Sequence, residues 1–246
     1  MLHKTKAIVL RTVKYGETSL IVTCITERFG LQSYMVNGIR QVSKKGASKS
    51  VYFQPASVLD LVVYHNELKK LQRIKEFKWA HLYQQIFSDV LKNAVSVYLI
   101  ELVNKTLKEP EHNTELFHFL EDVLLHLDSS GKSVTANLPL FFSLHLAVFF
   151  GFRITDNYSE LNLILDLQEG TFTSESPHHA YYLEGKSAEV VSHILKAMTP
   201  VDLNDLKLNQ DMRRQILSAM ETYYSLHISD FGTMKTLPVL REISEA

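Results

Sequence analysis

The chain has 246 residues, 46% of them hydrophobic and 22% charged, which is enough apolar material for one large core or two modest ones and argues against global disorder. Its single cysteine, Cys24, excludes an internal disulfide framework and any zinc site built from several thiolates. The formal net charge of −1 conceals a division: residues 1–80 hold 14 Lys and Arg against five Asp and Glu, a net of +9, while residues 81–246 hold 12 against 22, a net of −10. A basic segment set apart in this way points to a polyanionic partner.

Residues 7–77 read as strands. Ala7 to Lys14 is β-branched and apolar and stops at Tyr15-Gly16-Glu17, a turn signal. Ser19 to Thr26 is a second β-rich run. Leu31 to Val36 alternates apolar and polar residues, as a half-buried strand should, and ends at Asn37-Gly38. Ala56 to Tyr64 is the fourth run, and Leu68 to Phe77 alternates again among Lys69, Lys70, Arg73 and Lys75. Five short strands with no long helix between them suit a small closed barrel of the OB type, which leaves few free edges.

From Trp79 the apolar period turns helical, with Leu82, Ile86, Val90, Ala94, Tyr98 and Leu102 along one face until Glu109-Pro110. Thr114 opens a helix that Asp128-Ser-Ser-Gly131 closes. Leu138 to Phe152 is the most apolar segment, with Pro139 expected near its start. It is shorter than a membrane span needs and reads as a buried core helix. Leu161 to Thr173 predicts a short hairpin, and Ser187–Met198 and Gln210–Leu226 predict two further helices. The expectation is an α+β multidomain chain: a five-stranded OB-type β-barrel over residues 1–79 that binds nucleic acid, then a mainly α-helical domain with a short β-hairpin over residues 80–246 that serves partner proteins. The first residues, Met1 to Arg11, lack the long apolar core of a signal peptide, so the expected compartment is the cytoplasm.

The segment Asn37 to Ser50 carries Arg40, Lys44, Lys45 and Lys49, two glycines and no acid. A loop of this composition can lay cations along a phosphate backbone, with affinity from counterion release. Lys69, Lys70, Arg73, Lys75 and Lys78 form a second basic cluster. Tyr34, Tyr52 and Phe53 are either stacking surfaces for unpaired bases or residues of the barrel core. Catalytic signatures are weak. Gly131-Lys-Ser133 echoes the end of a P-loop, but His126 stands where the upstream glycine belongs. Glu115-x-x-His118 has no second copy of the kind a di-iron bundle needs. His178-His179 has no third metal ligand marked by sequence, and mid-strand Cys24 reads as a small core residue. Arg213-Arg214 reads as a solvated helix face or as a receptor for an acidic peptide.

Ala7-Ile-Val-Leu-Arg11, Tyr15-Gly-Glu-x-Ser19, Ile21-Val22, Thr26-x-x-x-Gly30 and Val36-x-Gly38-x-Arg40 with the lysines that follow resemble the N-terminal barrel of the RecO family in order and spacing. The helical part is similar more loosely, through Phe149-Phe-Gly-Phe152, Asp166 to Phe172, and Met212-Arg-Arg214 running to His227. The resemblance implies a bacterial DNA repair and recombination mediator. Such a protein binds single- and double-stranded DNA, anneals complementary strands, acts with RecR, engages SSB, and helps load RecA onto SSB-coated DNA, with no active site and no membrane partner. It also implies that Arg40, Lys44, Lys45 and Lys49 contact DNA; Lys14 and Arg73 join them on charge alone. Some relatives carry a four-cysteine zinc module at the segment corresponding to Asp156–Ser187; no cysteine lies there in this chain, so no zinc and no cofactor are expected. Two rivals are a metal-dependent nuclease, for which the basic region offers only Glu17, Glu27, Asp60, Glu67 and Glu76, and an OB protein that prefers RNA.

Overall fold

The computed structural model describes residues 1–40, 49–109 and 112–243. Its first five strands are β1 Leu2–Tyr15, β2 Ser19–Thr26, β3 Gly30–Val36, β4 Val58–Tyr64 and β5 Leu71–Trp79. They close into a barrel in the order β1-β2-β3-β5-β4, with β3 and β5 parallel and the other pairs antiparallel. This is the expected five-stranded barrel. Alternation explains it: Leu20, Val22 and Cys24 of β2 and Tyr34 and Val36 of β3 point inward and pack with Ala7, Val9, Leu59 and Val63. The 3₁₀ helix Lys49–Phe53 closes this core, because Phe53 is buried there and its carbonyl accepts from Thr12 Oγ1 at 2.7 Å.

One irregularity in β1 determines which residues face out. Its pairing with β2 shifts between Val9 and Arg11, leaving Leu10 without a cross-strand partner. Strict alternation would put Arg11 on the inner face with Ala7 and Val9. The bulge resets the phase, so that Thr12 points inward opposite Val22 and Arg11 points outward opposite Thr23.

The chain groups into two compact units, one of Met1–Gln84 with Val103–Leu125, the other of Gln85–Leu102 with His126–Ala246. Helix α2 (Thr114–Ser129) begins in the first unit, capped by Asn113, whose Oδ1 accepts from Leu116 N at 2.8 Å. The early turns of α2 meet the barrel through Glu121, which binds Lys6 at 2.9 Å, and His118, 3.6 Å from Glu27.

The second unit contains the start of α1 (Val90–Thr106) and helices α3 (Lys132–Leu146), α4 (Gly185–Lys196), α5 (Gln210–His227) and α6 (Thr236–Ile243), with a three-stranded sheet in the order β7-β6-β8. The predicted hairpin is β6 (Ile164–Asp166) and β7 (Thr171–Thr173); β8 (Tyr182–Leu183) and α6 were not foreseen. Two helix starts differ from expectation. Helix α1 begins at Val90 rather than Leu82, since Asp89 accepts from Lys92 N at 2.9 Å and caps it there. Helix α3 begins at Lys132 after Gly131, so Pro139 lies in its interior rather than at its start. With its 3₁₀ extension to Phe150, α3 is long and apolar enough to cross a membrane, yet most of it is buried in the second unit, as a core helix is. Asn157 anchors the small sheet: its Nδ2 donates to Phe172 O at 2.9 Å and its Oδ1 accepts from Phe172 N at 2.8 Å.

Candidate nucleic-acid interface

Cross-strand registers carry one row of side chains across the outside of the barrel. Val13 pairs with Ile21, Ile21 with Met35, Met35 with Arg73, and Arg73 with Tyr64. A second row beside it runs Arg11, Thr23, Ser33, Leu71. Thr23 and Ser33 share a hydroxyl hydrogen bond at 3.3 Å. Tyr15 and Tyr64 are each about half exposed, at 52% and 49%. No Asp or Glu occurs in β2, in β3, or in residues 11–15 and 71–75 of the flanking strands. Arg11 and Arg73 form no ion pair among the described residues. They stand three strand spacings apart along the sheet, roughly 14 Å. The face thus combines guanidiniums for phosphate, apolar and aromatic surface for bases, and hydroxyls, without a repelling carboxylate.

The turn between β4 and β5 borders this face. A groove of about 630 Å³ lies over Met35, Tyr64, Leu71 and Arg73 and reaches Lys69 of the turn. His65 begins the turn and stacks on Phe29 with ring centroids 3.9 Å apart. Burial first, and His3 beside it second, hold the His65 imidazole below its ordinary pKa, so it adds no charge at neutral pH.

The structure divides the six residues singled out for nucleic-acid contact. Arg73 lies in the outer row. Lys14 is exposed at the barrel's rim, opposite Leu20 in register. Arg40 is held against the β1–β2 turn: its backbone N–H donates to Thr18 O at 3.0 Å and its Nη1 to Gly16 O at 3.2 Å. Lys49 is exposed at the start of the 3₁₀ helix. Lys44 and Lys45 lie outside the described residues. Arg11 was missed, since plain alternation assigns it to the core and only the bulge turns it outward.

One sequence reading left open is decided and another is corrected. Tyr34 and Phe53 are fully buried in the barrel, and Tyr52 is partly buried with its ring stacked on Trp79 at 4.6 Å, so these three belong to the core rather than to a stacking surface. The second basic cluster is also split. Lys75 lies 3.4 Å from Glu76 and Lys78 lies 3.3 Å from Asp60, while Lys69 and Lys70 have no ion pair among the described residues.

The other candidate motifs take structural positions. Cys24 is fully buried, and desolvation drives its thiol pKa far up, so it stays protonated. His179 faces Asp166 at 3.3 Å and accepts from Tyr181 N at 3.2 Å through Nδ1. Gly131 follows α2, not a strand, and caps α3. Arg213 donates to Leu208 O at 2.6 Å.

Comparison with known proteins agrees with this architecture. The family described as "Recombination protein O N terminal" matches residues 1–83, and "Recombination protein O C terminal" matches residues 88–236. The chain is 36% identical to the "DNA repair protein RecO" of Christiangramia forsetii over 99% of both chains. It is 34% identical to that of Bacteroides fragilis over 99% of both, and 33% identical to that of Flavobacterium johnsoniae over 98% of both. Matched in its barrel, in its helical part and from end to end with these relatives, the chain belongs to the RecO family of DNA repair proteins.

Proposed function

We propose that this protein is a recombination mediator that binds single- and double-stranded DNA on the outer face of its barrel and anneals complementary strands. With RecR it helps load RecA onto SSB-coated DNA in the cytoplasm. It works by binding and presentation, with no catalytic step. The observation that carries the reading is the acid-free outer face, where Arg11 and Arg73 flank Val13, Ile21, Met35, Leu71 and Tyr64. Such a face neutralises phosphates and gives bases a sequence-tolerant surface, which is what a protein acting on any broken DNA needs. Lys14, Arg40 and Lys49 extend this positive surface, and Lys44 and Lys45, between Arg40 and Lys49 in sequence, are proposed to contact DNA with them.

Among the described residues no group of three or more His, Cys, Asp or Glu side chains is placed to hold a metal ion, as a nuclease of this kind would need, although Glu27, Asp60 and Glu76 line one cleft. Asp60 and Glu76 each lie beside a lysine, Glu27 lies beside His118, and Glu17 and Glu67 occupy different turns. The deciding experiment is a salt titration of binding to labelled single-stranded DNA, followed by strand annealing on the same sample, with RNA of the same sequence as competitor. Affinity that falls steeply with salt, together with accelerated annealing, supports the reading. Salt-independent binding overturns the phosphate mechanism, and preference for RNA overturns the substrate.

A further inference from the structure

One buried amide organises the β4–β5 turn. Gln72, 3% exposed, accepts from Asn66 N at 3.1 Å through Oε1. Its Nε2 donates to the carbonyls of Asn66 at 2.7 Å and Lys69 at 2.6 Å. Fixed in this way, the turn stands as a wall between two clefts of the same unit. The groove over Met35, Tyr64, Leu71 and Arg73 lies on one side. On the other side a larger cleft of about 820 Å³ opens over Thr23, Leu31 and Ser33 and reaches Arg28, Lys70 and Lys108. Lys69 borders both clefts, whereas Arg28 and Lys70 border only the second. The Arg28 guanidinium lies 5.6 Å from the Phe29 ring centroid, and Phe29 stacks on His65, which ties Arg28 to the same wall.

The two linings differ in their charges. The first sets Arg73 and the shared Lys69 beside Met35, Tyr64 and Leu71. The second sets Arg28, Lys69, Lys70 and Lys108 against Glu67 and Glu109, and Arg28, Lys69 and Lys70 have no ion pair among the described residues. Four cations gathered in one cleft suit backbone phosphates, and phosphate contacts leave base edges free.

We propose that the second cleft is a track for a second polynucleotide strand, gripped by its phosphates while the first strand lies in the groove over Met35, Tyr64, Leu71 and Arg73. This rests on the annealing role proposed above and gives it a geometry. Annealing needs two strands close together with at least one base edge free, and a wall one turn thick provides that separation. Lys69, shared by both clefts, would neutralise phosphates of either strand where the two approach.

The test uses the full chain carrying Arg28→Glu and Lys70→Glu together, with the milder Arg28→Ser and Lys70→Ser pair as a second variant and thermal melting as a fold control. Affinity for one labelled single-stranded oligonucleotide and the rate of annealing two complementary oligonucleotides are measured at equal occupancy. The expected result is single-strand affinity within about twofold of the parent and annealing slower by about tenfold, with a smaller loss for the serine pair. Equal losses in affinity and annealing overturn the proposal in favour of one continuous track. Unchanged annealing overturns it by removing the second cleft. Failure of the parent protein itself to bind or anneal marks the underlying functional reading, rather than the second track, as the error.

Discussion

On the side of the barrel formed by the first half of β1, β4 and the end of β5, cations face carboxylates: Lys6 meets Glu121 at 2.9 Å, Lys78 meets Asp60 at 3.3 Å, and Lys75 meets Glu76 at 3.4 Å. On the side formed by the second half of β1, β2, β3 and the start of β5, Arg11 and Arg73 stand among apolar residues and hydroxyls with no acid on those strands. The net charge of +9 over residues 1–80 does not distinguish these sides. A cation beside a carboxylate gains less from a phosphate than one with no acid near it, so affinity should reside mainly on the second side. On the first side the charges contribute to structure, chiefly where Lys6 meets Glu121 on α2.

The largest expected effect comes from the device that separates the two sides. Deleting Leu10 removes the bulge and joins Val9 directly to Arg11, so regular alternation keeps Arg11 outward opposite Thr23 while the buried Leu10 side chain is lost. The expected outcome is a barrel that still melts cooperatively, with stability lower by at least about 2–3 kcal/mol and DNA affinity retained. Leu10→Ala keeps the bulge and loses only a buried side chain, so it should fold with stability lower by about 2–3 kcal/mol. If the deletion melts cooperatively but loses DNA affinity, the bulge itself, and not alternation alone, presents Arg11.

Next comes the contrast in binding. Arg11→Glu with Arg73→Glu should weaken single-stranded DNA binding by at least about tenfold at low salt and make the log–log salt slope shallower by about 1.4. Lys75→Glu with Lys78→Glu makes the same charge change on the paired side and should leave the slope nearly unaltered. Equal effects from the two pairs would mean that total charge, not its placement, governs binding.

The Lys6–Glu121 pair sharpens the other half of the comparison. Lys6→Ala should lower stability by about 1 kcal/mol, because Glu121 is mostly buried, and should leave DNA affinity unchanged. The hydrogen bond to Glu121 raises the Lys6 pKa above its ordinary value. The stabilisation is therefore fully present at neutral pH and is lost only as pH rises through that elevated value. Melting at pH 6 and pH 8 should show the same difference between parent and variant.

Much of this was readable from the residues, and the unread parts share a cause. Alternation in β2 and β3 marks the strands and their inner faces, so the barrel follows from sequence. The bulge at Leu10 obeys no local pattern; it depends on where β1 stops following one register with β2, so Arg11 could not be assigned outward. The pairing of Lys78 with Asp60 is likewise a cross-strand fact, invisible to a count of charges along the chain. Pro139 misled because proline usually opens a helix, whereas here the residues from Lys132 onward are already helical. The strand β8 and helix α6 are too short to impose a period on the sequence.

Aromatic residues provide the subtlest comparison. Tyr34 and Tyr64 are both tyrosines on barrel strands, and residue type alone does not separate them. Register puts Tyr34 inside, fully buried, with its hydroxyl lacking a hydrogen-bond partner among the described residues, and Tyr64 outside beside Arg73. A buried hydroxyl without a partner is a standing penalty, and its desolvation drives the Tyr34 pKa well up. Tyr34→Phe should therefore leave DNA affinity unchanged and raise stability by up to about 1 kcal/mol, read as a higher melting temperature. Tyr64→Phe keeps the exposed ring and should change neither property, while Tyr64→Ala should weaken single-strand binding by about 1 kcal/mol through lost stacking. A loss of affinity in Tyr34→Phe without any loss of stability would mean that the interior hydroxyl, and not the outer row, reaches the nucleic acid, and the assignment of the two faces would have to be reversed.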